Sequence, residues 1–395
     1  MRITGVEPLI LRAPLGAARF LSSQSAFPER NSLLVRIETD DGLVGWGEGG
    51  QYGPPEPVAA CIQAVLAPQI LGRDPRQPVR IQELLYALTR DFGQKGAYVE
   101  AISAIDIALW DLTGQALGEP VHRLLGGAFR DRVHAYATGC YYRPEHQHDP
   151  AGQLPALADE ARSYVDAGFD TIKMKVGLLS IADDAARVAC VRQAIGPGTR
   201  LLADANHAYN GYSALRMGRI LEAQDVLWFE EPVVPEDLDG YRLLRSSLDV
   251  AIAGGECEFM RYGFRRLFEQ GCVDIAQPDL CAAGGLSEWV KIHALASSFG
   301  IATIPHVWGS GVALAAALHA LAATPPFPYT ALPQPLMNEP LVEFDRNPNP
   351  LRDELLVTPP RLVEGCLPVP QGPGLGIQVD EEALQRYRQP DLLPG

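Results

Sequence analysis

Short apolar segments alternate with amphipathic segments along most of the chain from about Val133 onward. The apolar segments have the length of β-strands, whereas the segments between them, such as 155–167 and 185–195, carry apolar residues at helical spacing. The apolar segments are VHAYAT, TIKMKV, RLLADAN, VLWFEE, VAIAGGE, VDIAQPD and IATIPHV. This alternation predicts a parallel α/β barrel. A doubly wound sheet shares it, but no GxGxxG motif stands between a strand and a helix, which disfavours a dinucleotide-binding sheet.

The first 125 residues follow a different pattern. The stretch LLVRIETDDGLVGWGE alternates apolar and polar residues on both sides of Asp40-Asp41-Gly42, which predicts two strands joined by a turn. Residues 101–116 carry apolar side chains at helical spacing, and LLGG at 124–127 ends the region. We therefore expect an α+β unit here. The tail from about residue 350 is rich in Pro and Gly, and its GPGLGIQVD predicts a turn and a short strand that pack on this unit.

Composition and charge limit the classes of function. The chain has 395 residues, of which 47% are hydrophobic and 21% charged, as in soluble globular proteins. A net charge of −15 argues against nucleic acid or an anionic membrane surface as a partner. We find no signal-peptide pattern and no stretch of membrane-spanning length, and so expect a cytoplasmic protein. Seven cysteines without a CxxC motif predict buried, reduced thiols rather than a disulfide framework or a zinc site.

Three carboxylates recur at an even interval in the middle of the chain. Asp204, Glu230 and Glu256 are separated by 26 residues each, and each follows a short apolar segment. One strand, helix and return of a β/α barrel takes roughly that many residues, so the three acids are expected at the C-terminal ends of adjacent strands, where barrel active sites lie. Three oxygen donors without Cys or His suit a hard cation, and Mg²⁺ first among them.

Two lysines precede the first acid by about one repeat. Lys173 and Lys175 stand two residues apart in TIKMKV, so their side chains are expected on the same face of a strand. If they point into the barrel mouth, each ammonium group is expected to lower the pKa of the other, as would partial burial and a nearby cation, and a lysine with a lowered pKa is a suitable base. The alternative is a solvated strand face, which the apolar neighbours disfavour.

An aspartate and a histidine that follow the three acids in the chain continue the spacing of one barrel repeat. Asp279 and His306 are separated by 27 residues, again one barrel repeat. A carboxylate at one strand end can accept a hydrogen bond from an imidazole at the next and raise its basicity. A carboxylate substrate bound to a cation between a lysine and this pair would have its α-proton flanked by both. The enediolate left behind could be reprotonated or could expel an oxygen from the β-carbon.

These residues, in this order, resemble the mandelate racemase/muconate lactonizing enzyme branch of the enolase superfamily. The motifs that carry the resemblance span nearly the whole chain: DGLVGWGE, AISAIDIALWDLTGQALGEPVHRLLGG, KxK at 173–175, DAN at 204–206, EEP at 230–232, GE at 255–256, QPD at 277–279 and His306. The resemblance implies a modified TIM-type (β/α)7β barrel over 128–350, an N-terminal α+β capping domain over 1–127, and a C-terminal segment over 351–395 that completes the cap. It also implies Mg²⁺ as the cofactor and a homo-oligomer.

The resemblance further implies roles for individual residues. The three metal ligands would be Asp204, Glu230 and Glu256, with Glu231 behind them as the weaker candidate of its pair. The two acid/base groups would be Lys175 and the pair formed by His306 and Asp279. The residues that would contact the substrate are Lys173 at its carboxylate, Asn206, His207, Trp308, Glu343 and Arg19. Plain packing equally explains Trp308. The loop of Arg19 also offers Ser22, Ser23 and Arg30 for substrate hydroxyls or a second carboxylate, and an ordinary polar loop explains it equally well.

Within this branch the chain looks most similar to acid-sugar enzymes, through stretches such as DANHAY, WFEEPVVPE and PHVWGSGVALAAAL. This implies opening of a sugar-acid lactone by β-elimination to a 3-deoxy-2-keto acid. A dehydratase with a hydroxyl as leaving group, and a racemase or epimerase, are the alternatives. The contacts that would separate them are expected on the loops 19–30 and 51–55. A non-catalytic sugar-acid binding protein would lack a ligand or a base, and none is missing; a hydride-transferring oxidoreductase would need a nicotinamide site, for which no motif is present.

Overall fold

The computed structural model describes residues 1–50, 53–146 and 149–390. The strands are β1 (Ile3–Pro14), β2 (Phe20–Leu21), β3 (Ala26–Phe27), β4 (Glu29–Thr39), β5 (Val44–Gly49), β6 (Arg132–Thr138), β7 (Thr171–Lys175), β8 (Arg200–Asp204), β9 (Val226–Glu230), β10 (Ala251–Gly254), β11 (Ile275–Ala276), β12 (Ala302–Thr303), β13 (Val342–Asp345) and β14 (Cys366–Pro368). The helices are α1 (Glu56–Cys61), α2 (Ala67–Ile70), α3 (Pro78–Thr89), α4 (Ala97–Leu117), α5 (Val121–Leu124), α6 (Leu154–Asp166), α7 (Ile181–Ile195), α8 (Gly211–Ala223), α9 (Leu238–Ser247), α10 (Met260–Glu269), α11 (Gly285–Ser298), α12 (Gly311–Ala323), α13 (Pro350–Asp353) and α14 (Glu381–Tyr387). A π-helical stretch, Ile62–Leu66, joins α1 to α2.

The N-terminal sheet has the antiparallel order β1-β4-β5, and the predicted turn at Asp40-Asp41-Gly42 joins β4 to β5. The glycines of β5 allow α4 to pack directly on this sheet. A Cβ at Gly47 would lie 2.0 Å from the carbonyl oxygen of Ala104, so no larger residue fits there without displacing the helix. Helix α4 then ends at Gly118, whose φ of 68° is the left-handed conformation common at helix C-termini.

The barrel consists, in the described part of the chain, of eight parallel strands in the order β12-β11-β10-β9-β8-β7-β6-β13. A longer helix, α6 to α12, follows each of the first seven barrel strands in turn. The predicted (β/α)7β architecture with an N-terminal cap is therefore confirmed. Because all these strands run in one direction, their C-terminal ends meet at one mouth of the barrel.

The C-terminal segment contacts both the barrel and the cap. Strand β14 pairs antiparallel with barrel strand β6, whereas Gly374 bridges Pro120 and Arg388 bridges Leu11 of the cap. The segment GPGLGIQVD, predicted to hold a short strand, makes isolated bridges instead, and the strand lies earlier, at β14. The domain boundaries at residues 127 and 350 stay predictions.

Buried carboxylates of the cap bind backbone groups at the beginnings of barrel helices. Glu48 accepts hydrogen bonds near the N-terminus of α12, and Asp106 accepts the backbone N–H of Ser287 in α11 at 2.9 Å. Helix N-termini expose unpaired N–H groups and favour negative charge, so these contacts stabilise the docking of cap on barrel. Burial nevertheless raises the pKa of Glu48, and raises that of Asp106 to about 7.

The seven cysteines all lie in the described ranges, where none is paired in a disulfide. Four are buried, as predicted for all seven, whereas Cys61, Cys190 and Cys257 are partly exposed. Within those ranges no helix combines the length and apolar character that a bilayer crossing requires.

Candidate active site

The three acids lie at neighbouring strand ends in the mouth of the barrel. Strand register pairs Lys175 with Asp204 and Asp204 with Glu230, and each of these residues is the last of its strand. Glu256 follows the end of β10 by two residues. The even spacing in sequence thus corresponds to one strand step in space, and the structure brings the three carboxylates together. Their role as metal ligands stays a prediction.

The two lysines lie among carboxylates. The Nζ atom of Lys173 is 2.6 Å from Oε1 of Glu230, 3.0 Å from Oε1 of Glu343 and 3.8 Å from Oδ2 of Asp204. The ammonium group of Lys175 donates to Oδ2 of Asp204. Both lysines are buried, so they do not form the solvated strand face that was the alternative.

For the protein alone, without the nearby cation that the prediction included, the pKa values of the two lysines are raised rather than lowered. Burial by itself lowers the pKa of Lys173 and of Lys175, but the neighbouring carboxylates outweigh it, with Glu230 foremost at Lys173 and Asp204 foremost at Lys175. Both pKa values therefore lie above the ordinary range. The reason is that each ammonium group contacts a buried carboxylate, an attraction that exceeds the repulsion between the two lysines.

His306 and Asp279 form the expected pair on the opposite side. The Nδ1 atom of His306 lies 2.7 Å from Oδ2 of Asp279, and its Nε2 atom lies 3.6 Å from Oε2 of Glu256. Burial lowers the pKa of the imidazole, but Glu256 and the hydrogen bond to Asp279 together raise it to about 10. The Asp279 contact orients the ring so that Nε2 faces the acids.

The donor set of the three acids fits Mg²⁺. Asp204 and Glu230 are fully buried and Glu256 nearly so, and all their side-chain donors are oxygens, as hard cations require. Burial, reinforced by Asp204 and the other nearby carboxylates, raises the pKa of Glu230 to about 8. The carboxylates around the two lysines, namely Asp204, Glu230 and Glu343, outnumber them, and a divalent cation would offset the remaining negative charge.

A cavity of about 320 Å³ opens onto this cluster. Six of the residues singled out in the sequence line it: Lys175, Asn206, His207, Glu256, His306 and Trp308. Lys173 and Glu343 lie beneath the cavity floor, paired with one another, and are not among its lining residues. Glu343 also accepts hydrogen bonds from the hydroxyl of Thr138 and from the backbone N–H of Val307 at 3.2 Å.

The turn after β8 places Asn206 and His207 at the cavity wall. Both residues have left-handed backbone angles, with φ of 42° and 63°. Ser23 of the cap donates from its hydroxyl to the carbonyl of Ala205 at 2.6 Å, so the loop between β2 and β3 lies against the end of β8. This contact holds part of loop 19–30, where contacts that distinguish the possible substrates are expected, over the barrel mouth.

The loop arginine at the cavity is Arg30, whereas Arg19 is exposed and is not among the lining residues. The guanidinium of Arg30 lies 4.2 Å from the ring centre of Trp308 and pairs with Asp345. The sequence left open whether Trp308 forms a wall of the substrate site or serves only for packing. In the structure it lines the cavity and also packs against aromatic rings of the cap. In the second loop, residues 51 and 52 lie outside the described residues, and Gly53 lines the cavity.

Two residues of the site were given no role from the sequence. The ring of Tyr141, three residues beyond the end of β6, has its centre 5.0 Å from Nζ of Lys175 and lines the cavity. Gln277 donates from Nε2 to Oε2 of Glu230 at 2.8 Å and so holds that carboxylate in place. Their positions just after the strands β6 and β11 are the signal that could have identified them.

Comparison with known proteins agrees with this geometry. Residues 11–126 match the N-terminal domain of mandelate racemase / muconate lactonizing enzyme, and residues 156–383 match the enolase C-terminal domain-like family. D-galactarolactone cycloisomerase from Agrobacterium fabrum is 43% identical over 391 residues, which cover 99% of this chain and 100% of the relative. Arabinonate dehydratase from Saccharolobus solfataricus is 35% identical over 356 residues, covering 90% of each chain.

Solved structures give the same assignment. The 3,6-anhydro-D-galactonate cycloisomerase from Zobellia galactanivorans superimposes with a TM-score of 0.86 at 40% identity, covering 99% of this chain and 100% of its own. A racemase from Streptomyces coelicolor A3(2) with bound magnesium superimposes with a TM-score of 0.85 at 29% identity, covering 98% and 100%. The chain belongs to the mandelate racemase/muconate lactonizing enzyme family of the enolase superfamily, and it is an enzyme of the cycloisomerase and dehydratase type.

Proposed function

We propose that the chain is a Mg²⁺-dependent cycloisomerase, similar to D-galactarolactone cycloisomerase, that opens a sugar-acid lactone to a 3-deoxy-2-keto acid. The relatives named for lactone or anhydro-sugar cycloisomerisation are 43% and 40% identical over almost the whole chain. Identity of that extent supports the substrate class, and the site supports the chemistry.

The observation that carries the proposal is the position of the two bases relative to the acids. Lys175 contacts Asp204, the first acid, and His306 lies 3.6 Å from Glu256, the last. Both bases line the same cavity. A substrate carboxylate held at the acids would therefore have its α-carbon between Lys175 and His306. Mg²⁺ at the acids would lower the pKa of both groups, so that one of them could take up the α-proton.

Mg²⁺ held by Asp204, Glu230 and Glu256 would supply the positive charge that favours the enediolate over the carboxylate. The side chains of the protein would carry out the proton transfers. Lys175 or His306 takes the α-proton, and the electrons of that C–H bond form a double bond to the β-carbon as its bond to the ring oxygen breaks. In a lactone this ring oxygen leaves with the electron pair as part of a carboxylate, which stays ionised near neutral pH, and the proton taken by the base is released to solvent. The resulting enol tautomerises to the 2-keto acid by gaining a proton at the β-carbon and losing the proton of its hydroxyl. Asp279 keeps the imidazole of His306 oriented during this transfer.

An acid-sugar dehydratase is the second candidate, because arabinonate dehydratase is 35% identical over 90% of this chain. The same residues would serve, with a hydroxyl in place of the ring oxygen as the leaving group. A racemase or epimerase would also use bases on both faces and is the third.

One experiment separates these reactions. The protein is incubated with Mg²⁺ in D₂O and a panel of aldonic acids, aldaric acids and their lactones, and each mixture is followed by proton NMR. A 3-deoxy-2-keto product from lactones alone supports the cycloisomerase. The same type of product from open-chain acids makes the enzyme a dehydratase, and α-deuterium exchange without elimination makes it an epimerase. No exchange and no product anywhere in the panel would contradict the proposal.

A further inference from the structure

A second group of potential metal ligands lies beside the three acids and differs from them in chemistry. His207, Glu231 and Cys257 each offer one donor atom, and these atoms all lie within 4.8 Å of one another. Glu231 directly follows Glu230 in the chain, and Cys257 directly follows Glu256. The group is therefore built on the same turns at the strand ends but from a nitrogen, an oxygen and a sulfur donor.

We propose that His207, Glu231 and Cys257 form a second cation site, distinct from the three acids, that binds a borderline-soft divalent ion such as Zn²⁺. The residues that would hold Mg²⁺ offer oxygens only, whereas thiolate and imidazole donors favour zinc. The inference does not depend on the substrate or on the reaction proposed above.

The distances suit a tetrahedral ion. Nε2 of His207 lies 3.1 Å from Oε2 of Glu231 and 3.6 Å from Sγ of Cys257. Donors bound to one tetrahedral zinc at usual bond lengths stand roughly 3.3 to 3.7 Å apart. The carboxylate of Glu231 and Sγ of Cys257 lie within 4.8 Å of each other, so a shift of these two side chains would complete the geometry for one ion. Binding would release the thiol proton to solvent.

The backbone holds these side chains in place. Glu231 and His207 have left-handed φ angles of 42° and 63°, which are uncommon for residues other than glycine. The backbone N–H of His207 donates to the carbonyl of Glu231 at 2.8 Å, so the two turns are joined directly. Glu231 is 1% exposed, and its carboxylate lies beside Nε2 of His207 and forms a hydrogen bond with the thiol of Cys257. A cation between the three donors would take the place of these contacts and offset the charge of the buried carboxylate.

A route for the ion exists. His207 and Cys257 both line the cavity, so an ion can reach them from the barrel mouth, while Glu231 closes the site from behind. Glu256 and Glu258 flank Cys257 in the chain and are both largely buried. Their negative charge favours a cation at the thiol. Three protein ligands would leave a fourth position open toward the cavity.

The test uses the full-length protein kept in millimolar Mg²⁺, so that the oxygen site is saturated. Zn²⁺ is titrated by calorimetry into wild type, Cys257→Ser, Glu231→Gln and, as a matched control with a partly exposed thiol elsewhere, Cys190→Ser. We expect one Zn²⁺ per chain in wild type and in the control, and affinity about tenfold or more weaker in Cys257→Ser and in Glu231→Gln.

Co²⁺ provides a second readout, because a cobalt–thiolate bond absorbs in the near ultraviolet by charge transfer and a carboxylate site does not. The band is expected in wild type and Cys190→Ser and absent in Cys257→Ser. Equal Zn²⁺ affinity in wild type and Cys257→Ser, or a cobalt spectrum without the thiolate band, would overturn the proposal.

Discussion

Glu48, on the last strand of the cap, binds Ser310, four residues beyond His306. Its Oε1 atom accepts the backbone N–H of Ser310 at 2.9 Å, and its Oε2 atom accepts both the hydroxyl of Ser310 and the backbone N–H of Ala313, the latter at 3.0 Å. Ser32 donates to the same carboxylate at 2.7 Å. One buried side chain of the N-terminal domain thus binds the N-terminus of the helix that follows the His306 loop, and so connects the docking of this domain to the position of His306.

Removing this carboxylate is expected to destabilise the protein. Glu48→Ala leaves four donors without their acceptor in a buried position, so we expect the free energy of unfolding to fall by about 3 kcal/mol and turnover to fall with it. Urea unfolding followed by circular dichroism measures the first effect. Glu38→Ala, on the neighbouring strand with an exposed side chain, is the control and should change little. Equal stability of the two variants would contradict the capping role.

The two bases are expected to be necessary for turnover but not for metal binding. Lys175→Ala and His306→Asn should each lower kcat by about a hundredfold or more, because each removes a proton-transfer group. Lys95→Ala, a mainly exposed lysine paired with Glu258, is the control. Steady-state assays on the substrate found by NMR measure the loss, and calorimetry checks that Mg²⁺ still binds. Near wild-type rates in both variants would contradict the two-base site.

The third acid is expected to be required for Mg²⁺ affinity. Glu256→Gln keeps the shape of the side chain but removes its charge, so Mg²⁺ should bind about tenfold or more weakly. Glu258→Gln, two residues further on and similarly buried, should bind Mg²⁺ as wild type does. Titration calorimetry of the two variants under the same conditions decides the question, since indistinguishable affinities would exclude Glu256 as a ligand.

A buried histidine pair is expected to make the protein sensitive to acid. The Nδ1 atoms of His122 and His319 lie 3.0 Å apart, and His319 also bonds through Nε2 to the carbonyl of Leu375 at 3.0 Å. Burial lowers the pKa of His319 to about 4, so the native state favours the neutral ring. The contribution of His319 to the free energy of unfolding is fully present above its pKa in the unfolded chain, about 6.5. It is lost as the pH falls toward the pKa of His319 in the native state.

His319→Gln should therefore lose about 2 kcal/mol less of its unfolding free energy than wild type between pH 7 and pH 5. Urea titrations at the two pH values measure the difference, and His134→Gln, at a partly buried position on β6, is the control. If His319→Gln and wild type lost the same stability over this interval, the pair would not be the source of acid sensitivity.

Regular spacing made a large part of the site predictable. Asp204, Glu230 and Glu256 each end one repeat of strand and helix, and parallel strands place equivalent positions at one mouth. The pairing of His306 with Asp279 follows from the same rule. The direction of the pKa shift of Lys175 could not be predicted from spacing, because it depends on a carboxylate that the strand register places beside the lysine.

The loops were harder to predict, since a loop sequence does not specify where its side chains point. Arg30, rather than Arg19, lies at the cavity because it stacks on Trp308 and pairs with Asp345, both of which are about three hundred residues away in the chain. The group of His207, Glu231 and Cys257 likewise joins three separate turns, and no CxxC or similar motif announces it in the sequence.

The sequence alone determined the alternation of strands and helices, the family, and the acids and bases at the strand ends, because these depend on local periodicity and on a repeat of nearly constant length. Only the tertiary structure decided which loop residues enclose the cavity, how cap carboxylates such as Glu48 dock on barrel helices, and how burial and neighbouring charges set the pKa of Lys175 and His319. Those properties arise from contacts between residues far apart in the chain, and local patterns do not encode such contacts.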